Sequence, residues 1–239
     1  MTNAQISDLT AAGLLLGAGL LLGLLRRDRF DWRWLLVAAG LVMVNNLLLS
    51  RGYGLVPDWL GGDWNWTGKV LALAGTLAIA SLPMFGWRRV GLTLAQRPGS
   101  LRTAVPVALL YCGFFLALAL AFPSDRPSGE DIAFQLTMPG FGEEPFYRGI
   151  LLFALDQAFR GRIRLLGVDW GWAAVLSCFA FGLAHALSYS DGAFSLDPLT
   201  MALTAVPSFI AVWLRYRTGS LLLPVLLHNF GNGIGLLAR

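Results

Sequence analysis

Apolar stretches long enough to cross a lipid bilayer follow one another along almost the whole sequence. A transmembrane helix needs about 20 apolar residues, and about 17 are the lower limit. The seven uninterrupted stretches are 9–25, 34–50, 70–87, 104–122, 171–187, 199–214 and 220–238. An eighth, 131–159, is interrupted by Pro139, Gly140 and a charged cluster. With 56% hydrophobic and 13% charged residues, the sequence predicts an all-α fold, a polytopic membrane bundle of about eight transmembrane helices in one integral membrane domain, 1–239.

Basic residues alternate between the two ends of the predicted helices, and this alternation predicts the orientation. Arginines cluster in every second connection, whereas the other connections hold few basic residues. Because basic loops stay on the cytoplasmic side, we expect both termini outside. The formal net charge of +4 reflects this bias, and no basic stripe with interleaved aromatic residues indicates nucleic acid as a partner. The inner arginines are Arg26, Arg27, Arg29, Arg33, Arg88, Arg89, Arg97, Arg102, Arg160, Arg162, Arg164, Arg215 and Arg217.

The few titratable side chains inside apolar stretches are the candidates for function. Both histidines of the chain, His185 and His228, lie in such stretches, as do Glu143, Glu144 and Arg148. A charged side chain at the centre of a bilayer costs about 2.5–3.5 kcal/mol on insertion scales. Such groups usually face the bundle interior and mark functional sites.

The two adjacent glutamates are expected to play different parts. Glu144 lies four residues before Arg148, the favourable order for a pair on one helix face, which predicts a salt bridge that fixes packing. Glu143 is rotated by about 100° from Glu144 and has no such in-helix partner, which favours a functional role. Pro145 suits the first turn of a helix, so we expect Glu143 at a helix N-terminus where the dipole keeps it ionised.

Two further pairs have the same four-residue spacing. Phe181 precedes His185, so that its ring can support the imidazole. His228 and Asn232 share one helix face among glycines that permit close helix approach. At a rise of 1.5 Å per residue, Glu143 and the two histidines can meet in one layer between the midplane and the outer leaflet.

One carboxylate, two imidazoles and one amide suit the hydrolysis of a peptide bond. A carboxylate with a histidine can take a proton from water, and a second histidine with an asparagine can stabilise the oxyanion. Alternatively, two histidines and a glutamate can bind zinc, with water as the fourth ligand. The sequence therefore commits to no cofactor and leaves a divalent metal such as zinc open. It has no HExxH motif, nucleophile-elbow serine or paired membrane aspartates, which disfavours those protease mechanisms.

Three short motifs on separate predicted helices resemble those of a known family. They are Glu143-Glu144-x-x-x-Arg148, Phe181-x-x-x-His185 and His228-x-x-x-Asn232. In type and order they resemble the motifs of the CAAX prenyl protease and bacteriocin-processing family (CPBP, also called Abi) of intramembrane endopeptidases. The resemblance runs from Pro139 to Asn232 and predicts a CPBP-like catalytic core at about 130–239.

The resemblance implies an intramembrane endopeptidase similar to type II CAAX prenyl proteases, with a helical fold of about eight spans. Glu143 and His185 would then activate water, and His228 and Asn232 would form the oxyanion site. Metalloprotease names are common in the family, but a glutamate-activated water needs no metal. The implied supporting residues are Glu144, Arg148 and Phe181.

A non-enzymatic membrane protein is the alternative, either a bacteriocin self-immunity factor or a transporter. Intramembrane Glu, Arg and His can line an ion path, but the sequence shows no pair of halves with matching broken helices, as many transporters have. The expected partners are a peptide or lipidated-protein substrate and membrane lipid. The expected location is the plasma (cytoplasmic) membrane of a prokaryote. The sequence does not indicate an oligomeric state.

The alternation of basic connections predicts that Gly99 lies inside and Ser190 outside. Single cysteines introduced at these two positions should therefore react with a membrane-impermeant thiol reagent from opposite sides of the membrane. Labelling of both positions from the same side would contradict the predicted orientation.

Overall fold

The computed structural model of the protein describes residues 1–123 and 126–238, most of which are helical. The predicted all-α membrane helix bundle is confirmed. The segment Pro145–Leu151 is π-helical and joins the sixth and seventh helices into one continuous helical rod. The helices are α1 Asn3–Leu24, α2 Trp32–Leu49, α3 Trp66–Ser81, α4 Leu101–Ala121, α5 Gly129–Gln135, α6 Met138–Glu144, α7 Leu152–Ala158, α8 Trp172–Ala186, α9 Pro198–Thr218 and α10 Leu222–Leu237.

The helices differ in whether they are long enough to span the thickness of a bilayer. In the described part of the chain, α1, α2, α4 and α9 are long and apolar enough to cross a membrane, by length and composition. The apolar helices α3, α8 and α10 are shorter. Together these helices identify an integral membrane protein.

Helix α3 begins and ends earlier than the apolar stretch 70–87 predicts. The side chain of Asn65 caps its start by accepting a hydrogen bond from the backbone N–H of Gly68 at 3.1 Å. The helix ends at Ser81 because Leu82 precedes Pro83 and takes an extended conformation, with ψ of 139°. This shift brings Lys69 into the first turn of α3.

The rod formed by α6, the π-helical segment and α7 corrects one prediction. Glu143 does not lie at a helix N-terminus, because the chain is already helical from Met138 and Pro139 occupies the first turn. Pro145 is instead accommodated inside the rod, where the backbone widens to a π-helix. A π-helical turn is a common local adjustment near functional sites.

Close contact between α6 and α10 depends on a glycine. The backbone N–H of Gly140 donates to the Oδ1 of buried Asn229 at 2.7 Å. A Cβ at position 140 would lie 2.6 Å from the carbonyl oxygen of Val225, closer than side chains tolerate. The absent side chain therefore lets the segment that carries both glutamates lie directly against the helix that carries His228.

Two short β-hairpins, which the apolar pattern does not predict, cap the bundle. Each turns through two residues with positive φ, Leu166-Gly167 and Asp191-Gly192, the backbone of a type I′ turn. The second hairpin lies against the start of α1, where the backbone N–H of Tyr189 donates to the Oγ of Ser7 at 2.9 Å. The strands are β1 Ile163–Leu165, β2 Val168–Trp170, β3 Leu187–Ser190 and β4 Ala193–Leu196.

The arginine-rich connections lie at one end of the bundle. Phe30 and Phe159 form a β-bridge that joins two of these connections. The backbone N–H of Arg97 donates to the carbonyl oxygen of Thr218 at 2.8 Å and joins the other two. This common end is what the alternation of basic residues requires, and the orientation in the membrane stays a prediction.

Candidate active site

The four residues predicted to be catalytic line a single cavity of about 460 Å³. Glu143 comes from α6, His185 from α8, and His228 and Asn232 from α10. Helix α8 ends one residue after His185, and β3 follows directly, so the histidine lies at the end of its helix. The structure thus brings together side chains that are up to 89 positions apart in the sequence.

Glu143 uses its two carboxylate oxygens differently. Oε1 accepts from the ammonium of Lys69, and the two side chains form an ion pair. Oε2 is buried and has no hydrogen-bond partner among the described residues. It faces the Nε2 atoms of His228 at 3.7 Å and His185 at 3.8 Å, distances too long for direct hydrogen bonds.

His228 is held through its other ring nitrogen. Its Nδ1 lies 2.7 Å from Oε1 of Glu144. Because a carboxylate accepts and does not donate, the proton lies on Nδ1, and Nε2 points toward Glu143.

Glu144 and Arg148 form the i,i+4 pair that their spacing predicts, with Oε1 and Nη1 3.3 Å apart. Their side chains are only 1% and 2% exposed. The other guanidinium nitrogen, Nη2, donates to the Oγ of Ser208 in α9 at 2.5 Å. The pair therefore joins the rod to α9 and, through Glu144, to His228 in α10.

The ring of Phe181 lies between a cation and an imidazole. The guanidinium carbon of Arg148 lies 4.1 Å from the ring centroid, within cation–π range. The His185 ring lies 4.5 Å away on the same helix. The Nδ1 of His185 donates to the carbonyl oxygen of Phe181 at 2.8 Å, which leaves Nε2 free to accept a proton when the ring is neutral.

Asn232 lies one helical turn after His228 and lines the same cavity. Its Nδ2 donates to the Oε1 of Gln135 at 3.2 Å, across to α5. An amide group has two N–H donors, so this bond leaves one donor for a ligand in the cavity.

Sequence reasoning missed four residues that organise the site. Lys69 is not among the predicted site residues, although a signal was present, because it is the chain's single lysine. The remaining three had no local signal, since their partners are 60 to 97 positions away. They are Gln135, Ser208 and Asn229.

Aromatic residues form one rim of the cavity. The ring of Trp64 stacks on Phe134 at 4.7 Å, and both residues line the cavity. The indole N–H of Trp66 and the backbone N–H of Asp63 donate to Glu130 at 2.9 and 3.0 Å and hold the pKa of that carboxyl below its usual value. These bonds fasten the connection before α3 to the start of α5.

A second cavity of about 390 Å³ meets the first at Lys69, Glu143 and His185. Its lining includes Asp8 from α1 and Asn46 from α2, whose side chains are hydrogen-bonded at 2.9 Å. Glu143 and His185 therefore border both cavities, whereas His228 and Asn232 line only the first. The described residues contain no group of three or more His, Cys, Asp or Glu side chains that could hold a metal ion.

Residues 131–234 match a family described as Rce1-like, type II CAAX prenyl endopeptidase. The match confirms the resemblance that the three motifs predict for this segment. At the family level it supports an intramembrane endopeptidase of the CAAX protease type. Comparisons with curated proteins and with solved structures give no match.

Loss of the buried carboxylate at position 144 should destabilise the protein. Glu144→Ala leaves Arg148 buried without its anion, which typically costs about 3–5 kcal/mol. Thermal unfolding of the detergent-solubilised protein measures the effect. The matched control is Asp169→Ala, which removes an exposed ion pair with Arg164 and should cost about 0–1 kcal/mol. Equal stability losses in the two variants would contradict a structural role for Glu144.

Proposed function

We propose that this protein is an intramembrane endopeptidase that hydrolyses a peptide bond with a water molecule activated by Glu143 and His185. One observation carries the proposal. A buried carboxylate oxygen of Glu143, without a hydrogen-bond partner among the described residues, faces two imidazole Nε2 atoms at 3.7 and 3.8 Å inside a cavity. The family match over 131–234 supports the reaction class.

The separation between Glu143 and the histidines suits a water-mediated contact. Polar atoms more than about 3.5 Å apart commonly share a bridging water. A water that donates to Glu143 Oε2 and to His185 Nε2 would present its oxygen to a substrate carbonyl. As the water oxygen bonds to the carbonyl carbon, one proton of the water passes to Glu143 or His185, and that proton is then delivered to the leaving amine as the C–N bond breaks.

His228 and Asn232 donate hydrogen bonds to the oxyanion, whereas Glu143 and His185 accept a proton from water. His228 donates through Nδ1 to Glu144, so its protonated form offers Nε2–H to the developing oxyanion. The second N–H of Asn232 supplies another donor one helical turn away. Glu144 thus orients the ring of His228, while Arg148 balances the charge of Glu144.

The substrate is proposed to be a peptide or a lipidated protein. The family description names CAAX prenyl endopeptidases, and apolar and aromatic side chains such as Phe115, Phe134 and Leu214 line the cavity beside the polar groups. Such a lining suits a substrate segment that enters from the membrane. We place the protein in the plasma membrane of a prokaryote, with its basic connections inside.

Replacing the carboxylate of Glu143 should abolish cleavage without unfolding the protein. Glu143→Gln keeps the side-chain shape and an acceptor for Lys69 but removes the base, so kcat should fall by about 10²- to 10⁴-fold. The measurement is cleavage of a membrane-peptide library by purified, reconstituted protein.

Asp169→Asn, which neutralises an exposed carboxylate, is the control and should retain full activity. Unchanged activity of Glu143→Gln would refute the assignment. A wild-type protein that cleaves no peptide, with intact folding, would favour a non-enzymatic immunity factor or transporter.

We expect the reaction to proceed without zinc. The ammonium of Lys69 already pairs with Glu143, so a divalent cation between Glu143 and the histidines would lie close to a fixed positive charge. Asn232 offers a neutral amide, which suits an oxyanion better than zinc. Exhaustive chelation should leave activity unchanged, and the purified protein should contain zinc far below one atom per chain. Stoichiometric zinc whose removal stops cleavage and whose return restores it would overturn this expectation.

A further inference from the structure

Lys69 contributes the one cation that directly contacts the candidate base among the described residues. It comes from α3, well outside the segment 131–234 that matches the family. Its ammonium pairs with Oε1 of Glu143, and the two side chains are only 14% and 16% exposed. The interaction therefore joins the N-terminal half of the chain to the catalytic segment.

The position of Lys69 is unfavourable for helix α3 itself. The residue lies in the first turn, where the helix dipole disfavours a cation. Its surroundings nevertheless accommodate the side chain: a Cβ at Gly142 would lie 3.3 Å from Cδ of Lys69, so the glycine leaves room for the lysine stem. Helix stability does not explain the lysine, whereas the contact with Glu143 does.

Three titratable groups face Glu143 from the helices around it: Lys69 on α3, His185 on α8 and His228 on α10. Asp8 on α1 lines the second cavity, to which Glu143 also contributes. Its own rod adds the Glu144–Arg148 pair and the hydroxyl of Tyr147. Of these, Lys69 is the group that occupies Oε1, and its contact leaves Oε2 turned toward both imidazoles.

We infer that Lys69 is a positioning residue of the active site, which keeps Glu143 ionised in the membrane and fixes which of its oxygens faces the histidines. This inference rests on the proposed function. Without the ammonium, the carboxylate would be free to rotate and would lose the nearby charge that favours its ionised form. The consequence is fewer molecules with a competent base at a given pH.

The pH profile of cleavage separates this role from a purely structural one. Activity falls at acid pH as the base is protonated. The ammonium of Lys69 lies against Glu143, and its removal makes the negative charge of the carboxylate less favourable, so the base is protonated more readily. This effect moves the acidic limb of kcat/KM to higher pH.

The experiment compares Lys69→Met, Lys69→Gln and Lys69→Arg in the purified, reconstituted full chain. Both neutral variants should move the acidic limb upward by about one pH unit or more. They should lower kcat at neutral pH about tenfold or more with little change in KM. Lys69→Arg should retain the wild-type limb because it keeps the charge. Lys69→Gln removes the charge but keeps a hydrogen-bond donor for Glu143. If Lys69→Met fails to fold, the pH profile of Lys69→Gln therefore still provides the test.

Arg51→Met is the matched control, since it removes a cation that pairs with Asp58 at 3.7 Å, away from the cavity. It should leave the pH profile unchanged. Wild-type acidic limbs in both neutral Lys69 variants would overturn the inference, while an inactive Glu143→Gln variant in the same assay would leave the proposed function standing. If the wild-type protein cleaves nothing, the proposed function fails and the inference fails with it.

Discussion

The pairing of one buried carboxylate, Glu144, is the interaction on which the rest of the site depends. A charge removed from water is tolerated only when it is paired and hydrogen-bonded. Glu144 meets this requirement with Arg148 at 3.3 Å and His228 at 2.7 Å. Arg148 in turn contacts Ser208 and the face of Phe181. These contacts draw α8, α9 and α10 onto the rod that carries the glutamates, so the demand for charge compensation also fixes the packing.

Two consecutive glutamates approach a single imidazole from its two sides. Neighbouring residues on a helix point about 100° apart, so adjacent carboxylates cannot share one direction. Here that divergence is useful: Glu144 binds Nδ1 of His228, while Glu143 faces Nε2 at 3.7 Å. The carboxylate of Glu144 fixes a proton on Nδ1, and the carboxylate of Glu143 faces Nε2, the nitrogen that points into the cavity. Helix geometry thus gives chemically identical neighbours different environments.

The parts of this structure that follow from local rules could be predicted from the sequence. Bilayer thickness sets helix length, so the apolar stretches identify the bundle, and four-residue spacing identifies the pair of Glu144 with Arg148. The helix start predicted at Pro145 is wrong, because Pro145 lies in a π-helical turn inside a continuous helical segment. No local sequence pattern distinguishes such a turn from a helix start. Lys69 and Gln135 could not be assigned to the site, because their partners lie 74 and 97 positions away and their contacts depend on how helices pack.

The family motifs describe only part of the electrostatic balance of this site. Residues 131–234 contain both glutamates, both histidines and Arg148. Within that segment Arg148 compensates Glu144, which leaves Glu143 facing two imidazoles and no fixed cation. Lys69, on α3, supplies that cation, and the early start of α3 at Trp66 is what brings it within reach. The charge of the candidate base is therefore balanced by the N-terminal half, so the two halves of the chain form one electrostatic unit.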